Sequence, residues 1–193
     1  MIEREIKFMT NYFIADMHFG HKNVLSFDNR PFKDIEEHDN TLITNWNNKV
    51  KEDDDIYIIG DISWYNASKT IDVVKSLSGV KHLIVGNHDR SLLKIKDFRS
   101  LFAEITDYKE LLLPDRKGIV LCHYPMPCFK NHFYEWYHLY GHVHSSFEWN
   151  MMERVKREMK ELYDKPCNMY NVGCMMPYMG YTPRMLEEIL VAS

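Results

Sequence analysis

The sequence has few of the features that mark secreted, membrane or nucleic-acid-binding proteins. Its 193 residues include only four cysteines. None of them forms a CxxC pair, so we expect reduced thiols in a cytoplasmic protein. No apolar stretch approaches the roughly 20 residues of a membrane span. Residues 1–13 carry acids and no apolar core, which argues against a secretory signal. The formal net charge of −4 provides no global positive field for a nucleic acid.

The chain also lacks a Gly/Ser-rich linker, a low-complexity segment and an internal repeat. Its hydrophobic fraction of 45% and charged fraction of 27% are ordinary for a globular protein. A chain of this length is within the usual span of one domain and can bury a substantial core. We therefore predict a single domain that comprises residues 1–193.

Short apolar runs alternate with helical patterns along the chain, which predicts an α/β protein. The predicted strands are 12–15, 56–59, 82–85, 119–122, 137–140 and 169–172. The predicted helices are 38–50, 68–77, 151–163 and 183–190. Thr182 is the expected N-cap of the last helix, with Pro183 at its first position. Two strand-like runs between residues 104 and 122, without an intervening helix, predict a hairpin or mixed pairing there.

Five of the predicted strands end in Asp, Asn or His. Asp and neutral His bind divalent transition metals, and Asn offers a carbonyl oxygen. Alternate residues of an extended chain point to one side, so each Asp-x-His or His-x-His pair can face one centre or two adjacent ones. Any one of these residues alone has an ordinary structural explanation, such as a cap or a turn. Their recurrence at five strand ends favours a metal site. In chain order they are Asp16 and His18; Asp61; Asn87, His88 and Asp89; His123; and His142 and His144.

This series, in this order over residues 16–144, resembles the calcineurin-like metallophosphoesterases. Residues 13–32 (FIADMHFGHKNVLSFDNRPF) further resemble a small bacterial and phage branch of predicted phosphoesterases. The resemblance implies a four-layer αββα sandwich of two mixed β-sheets flanked by helices, with the site at one sheet edge. It also implies two metal ions. One would be held by Asp16, His18, Asp61 and His144, and the other by Asp61, Asn87, His123 and His142. Mn²⁺ is the expected metal, and Fe²⁺, Zn²⁺, Co²⁺ and Ni²⁺ also suit such ligands.

The chemistry expected of such a site is hydrolysis of a phosphate ester. Two cations about 3.5–4 Å apart bind one phosphate and share a water, which becomes a hydroxide positioned for in-line attack. His88 is not among the implied ligands, and we expect it to protonate the leaving group. Asp89 would then orient the His88 imidazolium.

Three further residues are candidates for substrate binding, namely Arg30, His21 and Tyr124. Arg30 could clamp a phosphate with two hydrogen bonds, although a salt bridge in a solvated loop would explain it equally well. Trp64 or Tyr65 could stack on a nucleobase, but loop packing is the favoured role for both. The segment after Gly173 lacks the acid common in the phage-like branch, so the role of this Met-rich loop stays open.

We therefore expect a soluble, cytoplasmic, dinuclear phosphoesterase that acts on a phosphomonoester or phosphodiester, such as a small molecule or a nucleotide. One alternative is a non-catalytic scaffold of this fold that binds protein; such a scaffold would typically lack His88 or a metal ligand. The other is a nuclease or nucleic-acid end-processing enzyme, for which a basic groove or an added domain would be expected. The residues 153–160 (ERVKREMK) contain two glutamates and read as a solvated helix face. The physiological substrate and the oligomeric state cannot be read from the sequence.

Overall fold

The computed structural model describes residues 10–114 and 116–193. The N-terminal segment 1–9, on which much of the argument against a secretory signal rests, lies outside the described residues. Within the described part of the chain, no helix is long and apolar enough to cross a membrane.

Two four-stranded sheets form the centre of the molecule, and helices flank them. The first sheet contains β1 (Asn11–Ile14), β2 (Asp55–Ile59), β3 (Val80–Ile84) and β4 (Glu104–Thr106), in that order and all parallel. The second contains β5 (Tyr108–Leu112), β6 (Gly118–Cys122), β7 (Tyr137–Tyr140) and β8 (Asn168–Asn171). Only β5 runs antiparallel, paired with β6 as the predicted hairpin. The predicted α/β sandwich is thus confirmed, although only the second sheet is mixed.

The helices are α1 (Val24–Phe27), α2 (Ile35–Lys49), α3 (Ala67–Ser76), α4 (Lys96–Arg99), α5 (Phe147–Tyr163) and α6 (Leu186–Ala192). Short 3₁₀ turns lie at Leu92–Lys94 and His132–Tyr134. Helix α2 begins before the predicted residue because the Asp34 side chain caps it, accepting a hydrogen bond from the Glu37 N–H. Helix α5 likewise begins early, after Ser146, whose hydroxyl accepts the Glu148 N–H.

The prediction for the start of the last helix was wrong. Helix α6 begins at Leu186, and Met185 rather than Thr182 is its N-cap. The reason is that Arg184 pairs with the first strand: its N–H donates to the Phe13 carbonyl (3.1 Å) and its own carbonyl accepts the Phe13 N–H (2.9 Å). Residues in extended pairing cannot also form the first turn of a helix.

The strands β1 and β2 are apolar along most of their length, as expected of parallel strands covered on both faces. Phe13 and Ile14 of β1 are buried, and so are all residues of β2 after Asp55. The two sheets meet where β1 and β8 end: the Ala15 N–H donates to the Val172 carbonyl (2.8 Å), and the Cys174 N–H donates to the Ala15 carbonyl (2.9 Å). This junction brings the carboxyl ends of strands from both sheets to one edge.

Candidate metal centre

All seven predicted metal ligands lie at this junction of the two sheets. Parallel strands place their carboxyl ends at the same edge, so residues far apart in the chain become neighbours. From the first sheet come Asp16 and His18 after β1, Asp61 after β2 and Asn87 after β3. From the second come His123 after β6 and His142 and His144 after β7.

Five of these residues have a left-handed backbone conformation, which was not predicted from the sequence. The φ angles of Asp16, His18, Asp61, His142 and His144 are 53°, 52°, 56°, 71° and 49°. Residues other than glycine seldom adopt this region, at a cost of about 1–3 kcal/mol each. The Asp-x-His and His-x-His pairs therefore do not converge as alternate residues of an extended strand. Backbone hydrogen bonds past the strand ends hold the turns instead, from Asp16 N–H to Gly60 and from His18 N–H to Asp61.

Asp61 lies among three imidazole rings. Its Oδ2 is 3.5 Å from His123 Nε2, 3.7 Å from His18 Nε2 and 3.9 Å from His88 Nε2. Its Oδ1 accepts the backbone N–H of His88 (3.0 Å). Burial acts to raise the pKa of Asp61, but the hydrogen bond from His123, that residue's charge and the His88 N–H lower it to about 2. The carboxylate is thus ionised at neutral pH.

Two overlapping groups of ligand atoms are close enough to hold a metal ion. Asp16, His18 and His144 form one group and Asp16, Asp61 and His123 the other, with ligand atoms within 4.8 Å of one another in each group. Asp16 is common to both, whereas the resemblance implied Asp61 as the shared ligand. Asn87 extends the second group, because its Oδ1 lies 3.0 Å from both His123 Nε2 and His142 Nδ1. The metal site that the sequence predicted is therefore present as a set of convergent donors.

His18 shows that the first group of donors suits a cation. The residue is 2% exposed, and both of its ring nitrogens are buried without a hydrogen-bond partner. Buried polar atoms are normally paired, and an unpaired one costs about 1–3 kcal/mol. Burial, reinforced by the charge of His144, lowers the pKa of His18 to about 2. A neutral imidazole with a free lone pair is the form that binds a metal.

His123 is oriented by the strand before it. The ring is fully buried, and its Nδ1 lies 2.8 Å from the Ile59 carbonyl, to which it donates. Nε2 therefore faces Asp61 and Asn87. Burial acts to lower the pKa of His123, but the hydrogen bond to Asp61 and the charges of Asp16 and Asp61 raise it to about 9. A cation bound here would take the place of the Nε2 proton and keep the same ring orientation.

Asp28 orients His144 and was missed in the sequence. Its carboxylate oxygens lie 3.0 and 2.8 Å from His144 Nδ1, so this nitrogen carries the proton and Nε2 is left as the donor atom. Burial acts to lower the pKa of His144, but the hydrogen bond to Asp28 raises it. Carboxylate–histidine pairs of this kind support metal ligands. The only signal in the sequence was an acid two residues before Arg30.

The structure contradicts the predicted substrate role of Arg30. Its side chain is fully buried, and it donates to Asp28 Oδ2 through Nε (3.0 Å) and Nη2 (2.8 Å). Its remaining contacts are the carbonyls of Met17 (3.1 Å) and Asp16 (3.0 Å), His38 Nε2 (2.8 Å) and Cys174 Sγ (3.4 Å). No donor is left for a phosphate. Arg30 instead fixes Asp28 and the turn that carries Asp16.

Cys174 follows Gly173 and lies beneath the turn that carries Asp16. The thiol is fully buried, contacts Arg30 and donates to the Asp16 carbonyl (3.3 Å). Met176 and Met179 of the same segment are also fully buried in the core. This Met-rich loop thus packs beneath the metal centre.

The predicted contact between Asp89 and His88 is also not formed. The carboxylate of Asp89 is buried and accepts the backbone N–H groups of Asp61 (2.9 Å), Ile62 (3.0 Å) and Gly86 (2.9 Å). No hydrogen bond or ion pair of the described residues joins it to His88. Asp89 therefore ties the loop after β3 to the loop after β2, and so positions Asp61. His88 lies above Asp61, with a side chain that is 41% exposed.

His21 and Tyr124 are brought to the rim of the centre, as predicted. The Tyr124 ring is 4.6 Å from the His142 ring and the residue is 42% exposed. His21 stacks on Trp64 at 4.1 Å, and its ring is 5.4 Å from that of His18. Their predicted role in substrate binding stays a prediction. Trp64, 45% exposed, lies 4.3 Å from the His88 ring and completes this side of the rim.

No family model matches the chain. An uncharacterized protein of Methanocaldococcus jannaschii, MJ1445, is 36% identical over 137 residues, which are 70% of this chain and 69% of that protein. The Gene 66 protein of Mycobacterium phage L5 is 41% identical over 81 residues, 40% of this chain and 39% of the phage protein.

Among solved structures, the Aquifex aeolicus protein AQ665, a protein of unknown function, superposes with a TM-score of 0.62. The match covers 95% of this chain and 98% of that one at 24% identity, and it shows a shared fold. The match to the M. jannaschii protein spans more than two thirds of both sequences at more than 30% identity. The chain therefore belongs to the family of the uncharacterized M. jannaschii protein MJ1445.

Proposed function

We propose that this chain is a single-domain, dinuclear metal-dependent phosphoesterase of the calcineurin-like type, which hydrolyses a phosphomonoester or phosphodiester. The observation that carries the proposal is the pair of overlapping donor groups that share Asp16, one with His18 and His144 and the other with Asp61 and His123. The unpaired ring nitrogens of His18 support it, because a buried polar atom without a partner is costly and a bound metal ion would satisfy it. Mn²⁺ is the metal we expect, and the other divalent transition metals named above would also fit.

Each donor group would bind one of two metal ions. Asp16, His18 and His144 would hold one ion, and Asp61, Asn87, His123 and His142 the other, and Asp16 belongs to both donor groups. When bound, two such ions supply positive charge that activates water and offsets the charge of a phosphoryl group. Asp28 keeps His144 Nδ1 protonated, and the Ile59 carbonyl does the same for His123.

His88 would be the proton donor to the leaving group. Its ring lies at the rim beside Asp61 and is exposed to an incoming substrate. Its backbone N–H is fixed by Asp61 Oδ1 (3.0 Å), which holds the residue in place while the side chain stays free. In the reaction the oxygen of a hydroxide, formed from water by loss of a proton to solvent, would bond to phosphorus as the ester P–O bond breaks. The departing oxygen would take its proton from His88, which a proton from solvent then restores.

The test of the proposal is hydrolysis of p-nitrophenyl phosphate and bis-p-nitrophenyl phosphate by metal-stripped protein, before and after Mn²⁺ is added. We expect turnover only with metal, and the ratio of the two rates will distinguish a mono- from a diesterase. Asp61→Asn should lower turnover by at least about 100-fold, because a bound cation contributes several kcal/mol of charge stabilisation. Asp107→Asn is the matched control, since this carboxylate is 67% exposed and pairs only with Arg90 among the ion pairs described.

A second comparison isolates the role of His88. His88→Asn should retain both metals and lose most activity on substrates with poor leaving groups, because these need the proton most. An equal loss on activated and poor leaving groups would contradict the role. Folded, metal-loaded protein that turns over neither substrate would favour the non-catalytic scaffold instead.

A further inference from the structure

A cleft of about 270 Å³ opens directly beside the metal centre. Its lining consists of Ser63, Trp64, Tyr65, His88, Ser91 and Leu92. His88 belongs both to this cleft and to the metal centre, because its Nε2 is 3.9 Å from Asp61 Oδ2. A group that enters the cleft is therefore in contact with a residue that also borders Asp61. We call this space the His88 cleft.

None of the six lining residues is Asp, Glu, Lys or Arg. Two of the polar ones are already engaged: the Tyr65 hydroxyl donates to Asp39 (2.8 Å) and the Ser63 hydroxyl to the Phe19 carbonyl (3.3 Å). Apart from His88 and Ser91, the rest of the lining is apolar and aromatic surface. Burial of a charged group without a partner is unfavourable, so the cleft selects an uncharged occupant.

Trp64 gives the cleft a flat wall that is already ordered. The indole is stacked on His21, with ring centroids 4.1 Å apart and planes only 9° from parallel. It is nevertheless 45% exposed, so part of the indole stays open to a ligand in the cleft. An ordered aromatic plane binds another ring at little cost in side-chain entropy.

The size of the cleft limits its occupant to about one ring system. Pockets that enclose a whole drug-sized ligand measure about 300–1,000 Å³. The His88 cleft lies just below that range, so it suits one portion of a substrate whose phosphate is at the metals.

Given the proposed function, on which this inference rests, we infer that the His88 cleft is the leaving-group subsite. The substrate is then a phosphate ester whose leaving group carries an uncharged planar ring, as a nucleoside or an aryl alcohol does. The ring rests against Trp64, and the ester oxygen next to it lies within reach of His88, which donates the proton as the P–O bond breaks. The specificity-determining residues are Trp64 and Ser91, one from each of the two loops that line the cleft.

Ser91→Trp tests this by filling the cleft. Ser91 is exposed, and its side chain does not cap the turn Leu92–Lys94 that follows, so the change leaves the core intact. Each variant is compared with the wild type on p-nitrophenyl phosphate, a nucleoside 5′-monophosphate and methyl phosphate, all with Mn²⁺. The ratio of variant to wild-type kcat/KM cancels the intrinsic reactivity of each ester.

Ser91→Trp should reduce kcat/KM by about tenfold or more on the ring-bearing esters, mainly through KM, because a stacking contact is lost. Methyl phosphate should show a ratio close to one. Trp64→Ala should reproduce the loss and Trp64→Phe should restore much of it. Ser100→Trp, which adds the same bulk at the exposed end of α4, is the matched control and should change none of the three rates.

The outcomes separate the two proposals. Loss on the nucleotide alone identifies a nucleoside as the occupant, and loss on p-nitrophenyl phosphate alone identifies a small aryl group. An equal loss on all three esters, or no loss on any while metal-dependent turnover persists, would overturn the subsite and leave the phosphoesterase intact. If bis-p-nitrophenyl phosphate proves the better substrate of the wild type, the same comparison is made on the methyl diesters of the three compounds. Absence of metal-dependent turnover of both p-nitrophenyl phosphate and bis-p-nitrophenyl phosphate in the wild type overturns the phosphoesterase and the subsite with it.

Discussion

Asp28→Asn is the substitution that best tests how the metal centre is held together. Asp28 and Arg30 form a buried pair, with side chains 3% and 0% exposed and a contact of 2.8 Å. The same carboxylate accepts from His144 Nδ1. Asparagine keeps the shape of the residue but has only one acceptor oxygen and an NH₂ group that donates.

The geometry determines how asparagine would have to orient. Arg30 has only donors and both of its bonds to Asp28 go to Oδ2, so the amide oxygen must take the Oδ2 position, which is also 2.8 Å from His144 Nδ1. The NH₂ group then takes the Oδ1 position, 3.0 Å from His144 Nδ1. The Nδ1 proton of His144 then meets a donor at 3.0 Å and no longer faces a carboxylate charge, which favours the tautomer with the proton on Nε2, the atom that offers its lone pair to the metal. Metal binding would have to displace that proton. We therefore expect affinity for Mn²⁺ or Zn²⁺ to fall about 10–100-fold, or about 1.4–2.7 kcal/mol.

The same change should also destabilise the metal-free fold. Arg30 keeps a hydrogen-bond partner but loses its countercharge, and removing one member of a buried ion pair costs about 3 kcal/mol or more. For a chain of this size, 3 kcal/mol corresponds to a fall in Tm of about 6–12 °C. Asp107→Asn, the same chemical change at an exposed pair, should cost at most about 1 kcal/mol.

Isothermal titration with metal and thermal unfolding without it measure the two effects separately. A variant that is less stable but binds metal within about threefold of the wild type would refute the orientation of His144 by Asp28. Unchanged stability would instead mean that Arg30 is not held by charge.

Three further predictions concern other parts of the structure. Burial lowers the pKa of His138 to about 4. Its neutral form therefore stabilises the fold above pH 6.5, and this contribution is lost as the pH falls from 6.5 towards 4. Urea titration should show that the wild type loses roughly 3 kcal/mol more unfolding free energy over this range than His138→Gln. Gly86→Ala would place a Cβ against Asp61 Oδ1 and 2.5 Å from the Asp61 nitrogen, and should abolish metal binding. Gly180→Ala is the control, because the nearest neighbour of its Cβ would be 3.6 Å away. It should lower the free energy of unfolding by only about 1–2 kcal/mol, because of its positive φ. Arg30→Lys keeps the charge but loses the planar guanidinium that reaches the carbonyls of Met17 and Asp16, so Tm should fall by several degrees. A Tm equal to that of the wild type would show that charge alone suffices.

Much of the fold could be predicted because strand periodicity and polar strand ends are local signals. The strands at residues 56–59 and 137–140 are present in the structure with bounds that differ by at most one residue. Helix ends were less accurate, because the caps Asp34 and Ser146 act several residues before the apolar pattern becomes regular. The last helix was predicted to begin too early, at Thr182. Arg184 pairs with Phe13 in the folded chain, and this long-range contact cannot be read from the local helix signal.

The roles of individual residues near the site were harder to predict. An arginine in a polar loop has the same sequence signature whether it faces a phosphate or a buried carboxylate, and Arg30 proved to be the second. Asp89 follows His88 directly in the chain, yet its carboxylate reaches the backbone of the loop after β2. Neighbours in sequence need not be partners in space when the chain turns between them.

By itself the sequence determined an α/β class and the Asp, Asn and His residues at the strand ends, because residue type and strand periodicity are local signals. The two-sheet sandwich and the meeting of these residues at one edge were implied by the resemblance. Only the tertiary structure decided how those residues are held: the left-handed turns, the support of His144 by Asp28, and the burial of Arg30 beneath Asp16. The His88 cleft also exists only in the fold. These features depend on contacts between segments that are far apart in the chain, and no local pattern of residues records such contacts.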